Sequence, residues 1–363
     1  TTVPPERKTG GWSGMCSYLT DSIRTLYQNT EVIICPEKSF SRWNMLHHYL
    51  KKLIDGYGLV TTRDIRYSKQ IACYIEKTIT SDKFAVLSFG TSLVAELNEK
   101  NNITILTDAF AENLKMAFNN ISPSEVKRLH EIDKKALNNS KKLIVLTELV
   151  KNTAISVYNY KKDKICKLGA FAYFDTIPDI KIIDISKPKY KLLFISMDWK
   201  RRNGDFAVCL FNALLSCYKD LELHISGHKP PKDVLGLAGV ITHDINKDKP
   251  DGQQRLFDLY QMCDLLISPA QYNLGSAAIL EAGLFGVPTI ARNAGGIKDN
   301  IQNNVSGLLL QEDSSVQDWK HVIENLYSNI DHFNRLRRGA REYAVGSSNV
   351  LDKAKAVLDF MEL

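Results

Sequence analysis

Arg201, Arg202, Glu281 and the small-residue run Gly275-Ser276-Ala277-Ala278 have the types and spacing to do chemistry. A short apolar run, Leu265–Ser268, reads as a buried strand and leads into that small-residue turn. A helical pattern follows, with Glu281 about a turn and a half into it. At such a helix start the backbone N–H groups are unpaired and the helix dipole is positive, so an anion such as a diphosphate can bind there. The carboxylate of Glu281, set among apolar neighbours, can accept hydrogen bonds from a ribose. Arg201 and Arg202 follow another apolar run, Leu192–Ser196, where guanidinium groups can clamp a diphosphate and stabilise it as a leaving group. Together these features suit a nucleotide-sugar.

The elements that must position these residues alternate along the whole chain. Strands are expected at Glu31–Cys35, Phe84–Phe89, Ile103–Thr107, Leu143–Thr147 and Ile165–Leu168. Helical spacing lies between them, as at Ser13–Tyr27 and Glu125–Ala136. A second series runs through Leu192–Ser196, Leu221–Ser226, Val240–His243, Leu265–Ser268 and Thr289–Ala291. Strand–helix alternation implies parallel sheets and right-handed crossovers. Two series imply an α/β chain of two Rossmann-like domains facing a central cleft, with ligands outside the carboxyl ends of the strands. Pro178–Tyr190, with two prolines and several lysines, interrupts the pattern and reads as a hinge. The expected division is residues 1–186, then 187–346, with a final helix over 347–363.

Composition narrows the class. At 363 residues the chain is too long for one small core. Its 44% hydrophobic and 24% charged residues are those of a soluble globular protein. No apolar run approaches the roughly 20 residues that span a bilayer. The opening TTVPPERKTGG lacks the apolar segment of a secretory signal. Seven scattered cysteines without a CxxC pair point to a reducing, cytoplasmic setting and away from zinc. The net charge of +6 suits an anionic donor or an anionic membrane surface, and equally an ordinary basic exterior. No aromatic-and-basic interleaving points to nucleic acid.

Several stretches together resemble one family. ITILTDAFAENL is similar to a "TDATF" signature, and DWKRRNGD to "DWERKGGD". SPAQYNLGSAAILEAGLFGVPTIARNAGG is similar to a donor-site block, and GGWSG to an N-terminal Gly-rich loop. These are features of retaining glycosyltransferases of the GT-B fold, in the large family 4, and the first two resemble a bacterial polysaccharide-assembly subgroup. The resemblance spans nearly the whole length.

What the resemblance implies can be set out residue by residue. Arg202 takes the place of a lysine that binds the donor diphosphate, with Asn203 where the family has glycine. Arg201 stands beside it, and Met197 replaces a strand-end arginine. Glu281 matches the glutamate that binds the ribose hydroxyls. The family's other glutamate, which contacts the donor sugar, falls on Asn273, which can hydrogen-bond but brings no negative charge. Gly275, Ser276, Ala277 and Ala278 would hold the diphosphate, and Gly295 and Gly296 a tight turn beside it. Gly10, Gly11, Ser13 and Gly14 would form a loop approaching phosphate or acceptor; the bland alternative is a flexible chain end. Asp108 stands where many members have histidine. It can position or deprotonate the acceptor, or simply cap the helix beginning near Phe110.

The implied reaction moves a sugar from a nucleoside diphosphate sugar to a hydroxyl acceptor, a glycan or lipid-linked molecule, with retention. No cofactor and no metal are expected. Lys161–Lys167 can touch the inner face of a membrane, although solvated charge is the simpler reading. A second reading is a catalytically degenerate GT-B protein that binds nucleotide-sugar as a scaffold or subunit.

Overall fold

The computed structural model describes residues 11–35, 65–79, 84–98, 102–118, 121–227 and 229–363. They divide into two compact units. The first comprises Leu19–Gly169 and Leu351–Leu363, and the second residues 11–18 and Ala170–Val350.

The first unit holds a four-stranded, all-parallel sheet: β1 (Ala85–Phe89), β2 (Asn102–Thr107), β3 (Lys142–Val145) and β4 (Ile165–Lys167), in that spatial order. Helix α1 spans Gly11–Leu26 and α2 spans Ile65–Thr78; α3 (Ala111–Ala117), α4 (Pro123–Asn139) and α5 (Glu148–Tyr158) connect the later strands. Helix starts are locally encoded: the Ser122 hydroxyl accepts the N–H of Glu125 with Pro123 just inside α4, and the Thr147 hydroxyl accepts that of Val150 in α5. Ile103, Ile105, Leu143 and Val145 from β2 and β3 anchor the core together with Ile71, Ile132 and Val150.

The second unit holds six parallel strands: β5 (Lys191–Ser196), β6 (Glu222–Gly227), β7 (Val240–His243), β8 (Leu265–Ser268), β9 (Thr289–Arg292) and β10 (Gly307–Leu310). Their spatial order is β10-β9-β8-β5-β6-β7. The chain therefore runs outward from β5 to β7, then returns to the other side of β5 with β8. This reversal leaves a crevice at the carboxyl ends of β5 and β8. Helices α6 (Gly204–Leu215), α7 (Lys232–Leu235), α8 (Gly252–Met262) and α9 (Ala277–Gly283) cover the sheet, followed by α10 (Val316–Ser328) and α11 (Ile330–Ser347). One core gathers Leu192, Phe194, Phe211, Leu223 and Trp319; another gathers Leu193, Tyr260, Leu280 and Phe285.

Two expectations change and one strand is new. Glu31–Cys35 forms no ladder among the described residues. Cys35 is buried and Ile33 packs on the same core, so the apolar alternation records burial rather than pairing. Strand β10, GLLL, adds an edge strand that the expected series did not include. Pro178–Tyr190 is no free hinge but a strap fixed to α11 within the second unit. Asn334 Oδ1 accepts the Ile185 N–H at 3.0 Å, its Nδ2 donates to the Ile185 carbonyl at 2.9 Å, and Arg341 donates to the Pro178 carbonyl at 2.7 Å.

The final helix, α12 (Val350–Met361), groups from Leu351 onward with the first unit. Lys142 donates to the Phe360 carbonyl and to Glu362, each at 2.6 Å, and Lys353 donates to the Leu168 carbonyl at 2.7 Å.

Candidate nucleotide-sugar pocket

The turn after β5 is built to present one arginine. The Ser196 hydroxyl accepts the Asp198 N–H at 3.2 Å, and Asp198 in turn accepts that of Arg201 at 3.1 Å. Trp199 lies flat against Gly204, where a Cβ would come within 2.3 Å of the indole. Its Nε1 donates to Asp205 at 2.8 Å. Between them Asn203 takes the left-handed conformation, φ 59°. Glycine reaches that region freely and asparagine tolerates it better than most residues. Asn203 thus adopts a conformation open to the glycine expected at this place. Asn203 Nδ2 also donates to the Pro269 carbonyl at 3.2 Å, tying this turn to the loop after β8.

A pocket opens at the carboxyl ends of β5, β6 and β8, with a cavity of about 190 Å³. Arg202, Gly275, Ser276, Ala277, Ala278 and Glu281 all line it. Arg202 is half-buried and makes no salt bridge among the described residues. Loss of solvent, reinforced by neighbouring Arg201 and opposed by Asp198, pushes its guanidinium down to about 10, still fully charged at neutral pH. Met197 lines the same wall. Gly227 (φ 109°) ends β6 there, because a Cβ would lie 2.1 Å from the Ser196 carbonyl oxygen.

The amides of the loop before α9 are partly committed. Asn273 Oδ1 accepts the Gly275 N–H at 3.3 Å, and Asn300 Oδ1 accepts the Ser276 N–H at 3.1 Å. Those of Ala277 and Ala278 have no partner among the described residues and border the pocket.

Glu281 is 5% exposed and heavily bonded. Its Oε1 accepts from Lys247 Nζ at 2.5 Å and from the Tyr173 N–H at 3.4 Å, and its Oε2 from the Tyr260 hydroxyl at 3.0 Å. Burial and the adjacent carboxylate hold the Tyr260 phenol well above its ordinary range, so it remains a donor. Lys247 also donates to the Tyr173 carbonyl at 3.2 Å and sits 4.6 Å from the centroid of the Phe174 ring.

Residues 179–343 match the family model of glycosyl transferases group 1. A D-inositol 3-phosphate glycosyltransferase of Saccharomonospora viridis is 29% identical over 121 residues, 33% of this chain and 28% of that protein. The chain thus spans about a quarter of that relative's length. An uncharacterised 41.2 kDa protein of the Klebsiella pneumoniae cps region is 22% identical over 94% of both chains. Among solved structures, WaaG, a glycosyltransferase involved in lipopolysaccharide biosynthesis, superposes with a TM-score of 0.69 at 16% identity, over 97% of this chain and 96% of its own. A sucrose-phosphate synthase from Thermosynechococcus elongatus gives 0.65 at 12% identity, over 98% and 94%. HepE of Anabaena, solved in complex with UDP, gives 0.61 at 12% identity, over 82% of each. The fold is GT-B.

Within the second unit, the remaining sequence candidates stand behind the pocket wall. Arg201 turns to Asp198, 3.6 Å away. Asn273 is 1% exposed. Its backbone carbonyl accepts the Gly296 N–H at 2.7 Å, and Gly295 (φ 67°) passes so close that a Cβ would lie 2.2 Å from the same oxygen. Asn273, Gly295 and Gly296 thus shape the loop that offers Gly275–Ala278. Asn273 Nδ2 is buried without a partner among the described residues.

Asp108 lies in the other unit, directly after β2, and is partly exposed. Capping of α3 falls to buried Asp133, whose Oδ2 accepts the Ala111 N–H at 2.7 Å while Oδ1 accepts the Thr91 hydroxyl at 2.6 Å. Asn113 Oδ1 accepts the Phe110 N–H at 3.0 Å. The N-terminal Gly-rich loop is corrected in part. Gly10 lies outside the described residues, and Gly11, Ser13 and Gly14 belong to the first turns of α1. The buried positions Met15, Tyr18 and Leu19 continue at helical spacing, which draws the glycines into the helix.

Lys247, Tyr260 and Tyr173 are the residues that sequence reading missed. The first stands in a polar loop and the others in apolar runs, without a distinguishing pattern. The available signal was indirect: an acid among apolar neighbours needs a cation and donors. Among the described residues, no group of three His, Cys, Asp or Glu could hold a metal, and no helix is long and apolar enough to cross a membrane. None of the seven cysteines forms a disulfide among the described residues.

Proposed function

We propose that this protein is a retaining, metal-independent glycosyltransferase of family 4. It transfers a sugar from a nucleoside diphosphate sugar to a hydroxyl of a glycan or lipid-linked acceptor in bacterial surface polysaccharide assembly. One observation carries this reading: a guanidinium, Arg202, and two amides, Ala277 and Ala278, that have no salt bridge or hydrogen-bond partner among the described residues line a single pocket with a buried acid, Glu281. The cation and amides suit a diphosphate, and the acid suits ribose hydroxyls.

Catalysis follows from charge development. As the bond from the anomeric carbon to the diphosphate oxygen breaks, negative charge grows on the leaving oxygen. Arg202 and the two amides stabilise it without reorganising. The departing diphosphate, on the same face as the incoming hydroxyl, takes up the acceptor's proton, so the anomeric configuration is kept. Asp108 positions the acceptor. Arg202 supplies the positive charge that a metal supplies in other transferases. The proposed site of action is the cytoplasmic face of the membrane, with the protein attached peripherally.

The alternative, a nucleotide-sugar-binding scaffold, draws on an amide at Asn273 and a thioether at Met197 where charged groups are expected. Incubation with UDP-, GDP- and ADP-sugars, with and without a chelator, separates the two. Nucleoside diphosphate release that survives chelation supports the transferase; donor binding without release under any acceptor supports the scaffold.

A further inference from the structure

Building on the nucleotide-sugar reading, we propose that Lys247 is a second ribose-recognising residue, so that one hydroxyl donates to Glu281 while its neighbour accepts from Lys247. An ionised carboxylate has about four lone-pair positions. On Glu281 three are taken: two on Oε1, by Lys247 and the Tyr173 N–H, and one on Oε2, by the Tyr260 hydroxyl. A single position remains, on Oε2. Glu281 as it stands can therefore accept one ribose hydroxyl and not two.

Lys247 has the complementary surplus. Its ammonium carries three N–H donors. Two have acceptors, Glu281 Oε1 and the Tyr173 carbonyl, and the third has none among the described residues. Lys247 and Glu281 both line the pocket. The ring of Phe174, 4.6 Å from the ammonium, holds the stem against swinging away. The pair thus offers one acceptor and one donor side by side, which fits two adjacent hydroxyls used in opposite senses. A 1,2-diol bridging them satisfies both groups, whereas a deoxyribose leaves one buried polar group unpaired.

The test is a cycle between protein and ligand, measured by calorimetry with UDP, 2′-deoxy-UDP and 3′-deoxy-UDP on wild type and Lys247→Gln, and repeated with the GDP and ADP series. Wild type should bind the ribonucleotide about 10-fold more tightly than either deoxy form, from the worth of a charged hydrogen bond. Lys247→Gln should weaken the ribonucleotide and one deoxy form by a factor several-fold larger than the other deoxy form, the one lacking the Lys247 partner. A loss of the same factor for all three ligands makes Lys247 only a counter-ion and overturns the proposal while the donor site stands. Failure of wild type to bind any of these nucleotides overturns both. Should Lys247→Gln not fold, Lys247→Arg keeps the ion pair and should show the same pattern more weakly; equal factors there are equally fatal.

Discussion

The Lys247 ammonium and the Glu281 carboxylate stand 2.5 Å apart in the wall of the pocket, with 13% and 6% of their side chains exposed. At that depth each charge depends on the other. Removing one partner of a buried pair typically costs about 3–5 kcal/mol, because the survivor is left uncompensated. Glu281→Ala should therefore lower the melting temperature by several degrees without any ligand. The double variant Glu281→Ala/Lys247→Ala should be destabilised by less than the two single losses summed. Additive losses in thermal unfolding would mean that the two charges are not coupled.

Arg202→Gln should behave differently. Its guanidinium makes no salt bridge among the described residues, so stability should change little. Affinity for a nucleoside diphosphate should fall about 10- to 100-fold, the worth of charged hydrogen bonds to phosphate. Nucleoside affinity, measured on the base and ribose alone, should hold. Calorimetry with both ligands checks this.

Gly295→Ala tests whether the loop behind the pocket is needed for binding. The residue has φ 67°, and a Cβ would meet the Asn273 carbonyl oxygen at 2.2 Å. The loop must shift, at a cost of about 1–3 kcal/mol. Gly275 is hydrogen-bonded to Asn273, so diphosphate affinity should fall together with the melting temperature. Unchanged affinity would separate the loop from the pocket.

Acid should weaken the second unit through a histidine pair. His224 Nδ1 and His243 Nε2 are 2.9 Å apart, and His224 Nε2 meets Glu222 at 2.9 Å. Desolvation holds both imidazoles below the ordinary 6.5; Glu222 opposes the shift on His224, whereas His224 and Arg255 reinforce it on His243. The unfolded chain then binds protons that the folded one refuses. The stabilisation is complete above the unfolded value and is lost as pH falls below about 6.5. Melting temperatures between pH 8 and 5 should decline in that lower range, and His243→Gln should flatten the decline.

Much of this arrangement was legible in the sequence. Leu265–Ser268 coincides with the observed strand because continuous apolar runs bounded by turns are what buried parallel strands require, and Val240–His243 coincides as an exposed edge strand carried by its β-branched residues. The run Gly275–Ala278, Glu281 and Arg202 meet in one pocket because strand ends and helix starts share an edge of the sheet. Lys247 and Tyr260 were not legible: they meet Glu281 through folding over 34 and 21 residues, which no local period encodes. Asp133 escaped for the same reason, reaching 22 residues back to Ala111. The glycines at the start of α1 misled because turn chemistry was weighed above the apolar stripe that follows.

The central claim is that the pocket at the carboxyl ends of β5, β6 and β8 holds a nucleoside diphosphate through Arg202. The most direct measurement is calorimetric titration of wild type and Arg202→Gln with UDP, GDP and ADP. The account predicts saturable binding of at least one of them to wild type, weakened about 10- to 100-fold in the folded variant. Absence of binding from folded wild type, or equal affinity in the variant, would contradict it.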